Sequence, residues 1–568
     1  MHPRISPTLF CLVIAALATP IASAQVSAEH VKDLSLLVTP ELPCVWPVGQ
    51  MPHAVIPQRL VGPETYRRDL ILIDEHTGTQ WDAPAHFVPP PDSGLPGAGP
   101  TGKITADKVP AWQFCGEACV IDITKHCDDA PEGVSYLIRP DAVIAWEKAN
   151  RPLKFGDVVL FKSGYSDKYY QPFPAGDRFV AAPLRKDSPG WPAPTPETMG
   201  YLAERGVMTL GLDSPSMGPI PDLAAATHQA GGKRGMIWME CGANLGSLPT
   251  TGAFYAILAP KHAGGSGGEC RALGITEPKL AARLIASARK KQVVDLSVTL
   301  NEEYPVTWPG YGAGDEASRY VGKVLNAFSQ ARGPYFSMTH MMDGLSGTHV
   351  VPASFSLPPG PVDRIGHSED VRKLLAEFES RFGKRGRKGE TLEQVPLEAL
   401  MGEAHLIDVR KLVGTTKESQ WPASPAITVE IIKQHEAQRP IQAGEVVIFH
   451  SGYSDAHFKP LPPSPEVDRL FAAPLQGKAE GWPAPTPEVI AYLADKGIRC
   501  IGTDGPTIGG VDRANAAQVY WLAASKGIYP VEYLINVAAI ADKNAFFLFA
   551  PVRIKGTAGG YGRAIALW

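Results

Sequence analysis

Two histidines, a carboxylate and an amide fall within the stretch His76-Thr-Gly-Thr-Gln80-Trp-Asp82-Ala-Pro84-Ala-His86. A metal ion needs several oxygen or imidazole donors converging on one point, and this stretch can supply them. Read alone, it is also compatible with a turn carrying solvated polar side chains. The apolar segment Leu70 to Ile73 before it reads as a strand. That places the donors in a loop at a sheet end, where functional groups are commonly held by a rigid scaffold.

The stretch resembles the signature of the cyclase / kynurenine formamidase-like family of metal-dependent hydrolases, His-x-Gly-Thr-His-x-Asp-x-Pro-x-His. It matches at His76, Gly78, Thr79, Asp82, Pro84 and His86 and departs at Gln80. The resemblance extends to His228 and Glu240. Glu240 sits in Met239-Glu-Cys-Gly-Ala-Asn-Leu, similar to the family's Glu-x-Leu-x-Asn-Leu. It implies that His76, Gln80 and Asp82 form one ligand set and Asp82, His228 and Glu240 another, for one or two divalent ions (zinc or manganese). His86 becomes the acid/base candidate. An amide oxygen is a neutral, harder ligand than imidazole, so Gln80 shifts preference away from soft ions and leaves the count of ions open. The implied activity is hydrolysis of a C–N bond in a small amide or cyclic amide, with metal-activated water as nucleophile. A non-catalytic small-molecule-binding protein and a dehydratase or ring-forming cyclase are the competing readings.

The elements that must position these groups occur twice. Asp33-Leu34-Ser35 returns as Asp295-Leu296-Ser297, Ser163-Gly-Tyr-Ser-Asp167 as Ser451-Gly-Tyr-Ser-Asp455, and Gly190-Trp-Pro-Ala-Pro-Thr-Pro-Glu197 as Gly481-Trp-Pro-Ala-Pro-Thr-Pro-Glu488. So many ordered matches mark a tandem duplication, expected to divide into 27–275 and 292–568. Between them, 276–291 reads as a basic amphipathic linker helix with Leu280, Leu284 and Ile285 on one face. Short apolar runs at Cys119 to Ile123, Val158 to Phe161, Val207 to Leu212, Phe254 to Ala259 and Phe546 to Ala550 read as buried strands. Pro196 to Glu204 and Pro487 to Lys496 read as helices, with Thr195 and Thr486 as N-caps and Gly206 and Gly497 as stops. The fold class is mixed α/β and β-rich, and the resemblance implies two copies of a swivelling β/β/α-type domain paired as an intramolecular pseudodimer, with further homo-oligomerisation possible.

The second copy has lost most donor positions. Leu345 stands for His76, His349 for Gln80, Val351 for Asp82, Phe355 for His86 and Tyr520 for His228, and only Glu532 matches Glu240. It is expected to be catalytically dead, with His349 a loop or core residue and Glu532 paired internally. Two motifs are decoys. Gly264-Gly-Ser266-Gly-Gly268 fits a serine-hydrolase pattern, but no helix pattern follows it, so it reads as a backbone loop. Ser163 to Asp167 persists in the degenerate copy and reads as a fold-specific turn. Trp46 and Trp81 are candidates for the pocket wall or for core packing.

Composition narrows the partners. A 568-residue chain with 44% hydrophobic and 20% charged residues is globular and too long for one core. A formal net charge of -4 leaves no basic footprint, so no nucleic-acid partner is expected. Residues 1–24 read as a secretory signal: Arg4, the apolar run Leu9 to Ala18, and Ala22-Ser23-Ala24 before Gln25. The apolar run is too short to span a bilayer of roughly 30 Å, so a periplasmic or secreted protein with no membrane partner is expected. Seven cysteines follow Cys11, and Cys115-x3-Cys119 reads as a disulfide or buried thiols, since no second pair completes a metal knuckle.

Overall fold

The computed structural model describes residues 26–59, 65–309, 319–329, 333–357, 366–386 and 389–568. The expected signal at 1–24 lies outside them. The apolar runs of the first copy form strands Cys115–Asp122, Asp157–Lys162, Thr209–Leu212 and Phe254–Leu258. The first three run parallel, with Ile237–Glu240 parallel beside Thr209–Leu212. Parallel neighbours need crossover connections, and helices Pro140–Ala149 and Pro196–Glu204 supply two of them. Helix Pro196–Glu204 begins where the sequence indicates: the Thr195 hydroxyl accepts from Thr198 N at 3.3 Å.

The sheet then closes on itself. Gly267–Glu269 pairs with Gln80–Asp82, and Arg271–Ile275, only one residue further along, pairs with Phe254–Leu258. The second copy closes the same way, because Gly560–Leu567 pairs with both His349–Val350 and Phe546–Pro551. Closure leaves the short strand Gln80–Asp82 wedged between Gly267–Glu269 and Ile237–Glu240, with both backbone edges satisfied. The position of the donors is therefore fixed by backbone ladders on both sides.

The two copies are joined by a sheet neither could form alone. Its order is Val321–Asn326, Ser337–Asp343, Arg68–Asp74, Ala54–Arg59, so each copy contributes two strands. In the central antiparallel pair Leu72 lies opposite Met341. These occupy equivalent places in the repeat, so the pair straddles a local two-fold relation. The relation recurs at Lys261–His262, parallel to Thr299–Leu300, and at the Val38–Ile554 bridge.

The expected linker helix spans Pro278–Arg289 and seats Ala281, Leu284, Ile285 and Ala288 in a core made by both copies, with Phe254 and Leu258 from one and Phe546, Leu548 and Ile565 from the other. Leu284 and Ile285 each contribute about 1.5–3 kcal/mol by burial. The half-exposed Arg283–Glu403 ion pair on the same helix contributes about 1 kcal/mol or less, so apolar burial holds the joint. All seven cysteines among the described residues are buried free thiols. Among the described residues, no helix is long and apolar enough to cross a membrane.

Candidate metal centre

Strand alternation sends Gln80 and Asp82 to the same face of Gln80–Asp82. The antiparallel register places Glu240 opposite Gln80 and Trp238 opposite Asp82. His76 lies in the turn before this strand. That turn requires glycine at Gly78, where φ is +63° and a Cβ would come within 2.7 Å of Val38 Cγ2. His86 ends the 3-10 turn Pro84–His86, and His228 projects from helix Ala224–Gly232. The fold thus brings together all six residues singled out in the sequence, and all six are buried.

Each imidazole has one nitrogen committed to the protein. His228 Nδ1–H donates to Ala224 O at 2.7 Å, and His86 Nδ1–H donates to Phe336 O at 2.6 Å. His76 Nε2 lies 2.9 Å from Ser266 Oγ, whose own proton goes to Glu75 Oε2 at 2.5 Å, so the serine oxygen accepts from His76. These bonds fix the tautomers and turn the other three nitrogens on carboxylates. His76 Nδ1 is 3.2 Å from Asp82 Oδ1, and His86 Nε2 is 3.8 Å from Asp82 Oδ2. His228 Nε2 is 3.5 Å from Asp82 Oδ2 and 3.3 Å from Glu240 Oε1.

Imidazole lone pairs facing carboxylates in a buried space are compatible only with a cation between them or with protonation. His76 Nδ1, Asp82 Oδ1 and Gln80 Oε1 are buried without a hydrogen-bond partner, an arrangement that is costly unless an ion satisfies it. Two triads among the described residues have ligand atoms within 4.8 Å of one another: His76, Asp82 and His86, and Asp82, His228 and Glu240. The donor set of imidazoles and carboxylates fits a divalent metal ion. Gln80 is oriented by its amide nitrogen, which donates to Glu240 Oε2 at 2.8 Å.

Without a cation the cluster neutralises itself by taking up protons. Burial opposes charge on His76, but the Asp82 carboxylate 3.2 Å away outweighs it and raises the imidazole to about 9. Burial and the nearby His76 charge lower His86 to about 3. Burial and the charge of Asp82 raise Glu240 above the usual carboxylate range.

Several members of the site were not singled out in the sequence. Trp238 Nε1 donates to Asp82 Oδ2 at 3.0 Å, and Met217 N donates to Glu240 Oε1 at 2.6 Å. Ser266, expected to be part of a plain backbone loop, orients His76. Ser266, His76 and Asp82 lie in the order of a serine-hydrolase triad, but Ser266 has no exposed surface and gives its proton to Glu75, so it cannot meet a substrate. Glu75 continues to His340 Nε2 of the second copy at 3.2 Å. A cavity of about 310 Å³ opens over the donors, walled by Trp46, Phe87 and Leu184, and by Tyr335 and Ser337 from the second copy. Trp81 takes no part in this wall and is buried against Phe114.

The Cyclase family matches residues 32–219 and 294–509. The chain belongs to this family. An isatin hydrolase from Roseibium aggregatum is 25% identical over 214 residues, which cover 36% of this chain and 73% of that protein. A kynurenine formamidase from Salinibacter ruber is 26% identical over 243 residues, covering 42% and 95%. Among solved structures, isatin hydrolase A from Ralstonia solanacearum is 27% identical, covers 44% of this chain and 92% of that one, and has a TM-score of 0.36.

The two cyclase segments differ at the donor positions. In the second, His349 Nε2 lies 3.0 Å from Glu532 Oε2, and Glu532 Oε1 accepts from Tyr520 OH and Ile508 N, both at 2.7 Å. The expected internal pairing of Glu532 is present. The Ser163 turn is a shared device of both cyclase segments. Asp213 accepts from Ser163 N at 2.8 Å and Gly164 N at 2.7 Å, and Asp504 does the same for Ser451 and Gly452. Arg271 and Arg563 pair with Asp33 and Asp295 at 2.8 and 2.7 Å, so both act as structural ties.

Proposed function

We propose that this protein is a divalent-metal-dependent hydrolase that cleaves a C–N bond of a small amide or cyclic amide. The observation that carries the reading is the set of three tautomer-fixed imidazoles facing Asp82 and Glu240 across a buried space. The names of the relatives, an isatin hydrolase and a kynurenine formamidase, support the choice of bond.

His76, Asp82, His228 and Glu240 would hold the ion, with Gln80 Oε1 beside them. When bound, such an ion polarises a carbonyl and brings the pKa of water towards about 7. Hydrolysis adds the hydroxyl of water to the acyl carbon and its proton to the nitrogen. His86 is the group placed to carry that proton, because its Nδ1–H is held by Phe336 O and only Nε2 is left for exchange. Trp46, Phe87 and Tyr335 exclude water from the substrate's apolar part.

The test is hydrolysis of isatin, an aryl formamide, a simple lactam and an ester by purified protein of measured metal content. Hydrolysis that stops with a chelator and returns with zinc or manganese supports the reading. A bound molecule recovered unchanged would favour a binding protein, the reading that Gln80 in place of imidazole motivates. A product lighter by one water would favour a dehydratase or cyclase. We further propose that the second segment is catalytically dead and that residues 1–24 direct export. N-terminal sequencing of protein from the producing cell should begin at Gln25, and an N-terminus at Met1 would contradict export.

A further inference from the structure

Glu75 stands beside His76 and takes the Ser266 proton, yet its carboxylate is fixed from the second copy as well. Oε2 accepts from Ser266 Oγ at 2.5 Å, Ser266 N at 3.0 Å and Met338 N at 3.2 Å, and Oε1 lies 3.2 Å from His340 Nε2. Glu75, Ser266 and His340 have no exposed surface. Burial lowers the pKa of His340, which leaves its imidazole neutral with a single N–H. An Nδ1–H tautomer would turn the Nε2 lone pair on the carboxylate, so the proton sits on Nε2 and is donated to Glu75. Nδ1 then accepts from Tyr320 OH at 2.9 Å, whose oxygen accepts from His262 Nδ1 at 3.0 Å. Two donor chains therefore end on one carboxylate: His76 through Ser266, and His262 through Tyr320 and His340 of the second copy.

The repeat shows that this arrangement serves one site only. The second copy has Leu345 at the place of His76, Gly344 at that of Glu75 and Ala558 at that of Ser266. A tie between the copies alone would not need His76 or Ser266, yet Glu75 and Ser266 are missing from the second copy together with the imidazole. Conversely, Ile71 stands in the first copy where His340 stands in the second. His340 is carried to Glu75 by the shared sheet, in which it lies opposite Ile73. We propose that His340 is a positioning residue of the first copy's metal centre. It holds Glu75 against Ser266, so that Ser266 accepts from His76 Nε2 and the His76 Nδ1 lone pair is left for the ion. The proposal rests on the reading of the donor cluster as a metal centre.

The test measures zinc and manganese affinity of the metal-stripped, full-length protein by competition with a chromogenic chelator. His340→Leu should weaken metal binding about 10–100-fold, the range for residues that orient a histidine ligand. His340→Gln should restore it to near the wild-type value, because its amide can donate to Glu75 and accept from Tyr320. His340→Asn, too short to reach Glu75, should behave as His340→Leu does, and it decides the matter if His340→Leu fails to fold. In a Ser266→Ala background His340→Leu should weaken binding little further, since both act on His76 by one route. Unchanged affinity in His340→Leu or His340→Asn overturns the proposal. So does equal weakening in His340→Gln, or a full second loss in the double variant. Wild-type protein that binds neither zinc nor manganese would instead remove the metal centre itself, and the proposal with it.

Discussion

At the scale of single residues, Gln80 is where this chain departs from the family's signature, and the second copy shows what the departure does. His349 occupies the equivalent strand position and reaches Glu532 at 3.0 Å, so the strand accommodates an imidazole there. Gln80 instead donates to Glu240, which withdraws a donor and tethers a carboxylate. Gln80→His should therefore raise zinc affinity about tenfold or more, measured by competition with a chromogenic chelator. An unchanged or weaker affinity would place Gln80 outside the coordination sphere. His76, Asp82 and His86 were legible in the sequence from their types and spacing, whereas His228 and Glu240, far along the chain, were reached only through the resemblance to the family's motif. Trp238 and Met217 were not, because a buried tryptophan N–H and a backbone N–H leave no mark on residue type.

At the scale of elements, the glycine-rich loop 264–268 shows why local reading fell short. Its glycines mark a turn correctly, yet Ser266 is brought to His76 only by the closure that seats Gly267–Glu269 against Gln80–Asp82. A partner 190 residues away is set by ladder register, which the loop's own sequence does not contain. Residues that orient a histidine ligand typically contribute 10–100-fold to metal affinity. Ser266→Ala should weaken metal binding by about that range while leaving the thermal unfolding of the metal-free protein near that of the wild type. If metal affinity is unchanged, Ser266 does not hold His76. Helices Pro196–Glu204 and Pro487–Asp495 were legible from proline and glycine punctuation. The run Leu70 to Ile73 was legible as a strand, but its place in a sheet shared between the copies was not.

For the whole molecule, the duplication was legible from repeated words in the sequence, whereas the dependence of one copy on the other emerges only in three dimensions. Phe336, from the second copy, accepts the His86 Nδ1 proton, and Tyr335 and Ser337 complete the first cavity. Phe254, Leu258, Ile275 and Leu284 are covered by the shared core. A fragment ending at Arg289 would expose that face and release His86. It should aggregate or lose activity about 100-fold or more, given that misplaced catalytic groups cost this much. A soluble fragment with unchanged kcat/KM would show that the second copy is dispensable.

The central claim is that the first copy hydrolyses a C–N bond with a divalent ion held around Asp82. It is tested most directly by measuring metal content and amide hydrolysis together, for the wild type and Asp82→Ala. The account predicts at least one ion per wild-type chain and metal-dependent hydrolysis of isatin or an aryl formamide. Asp82→Ala should lose both the ion and at least about a thousandfold in kcat/KM. An Asp82→Ala protein that keeps full metal content and full activity would contradict it.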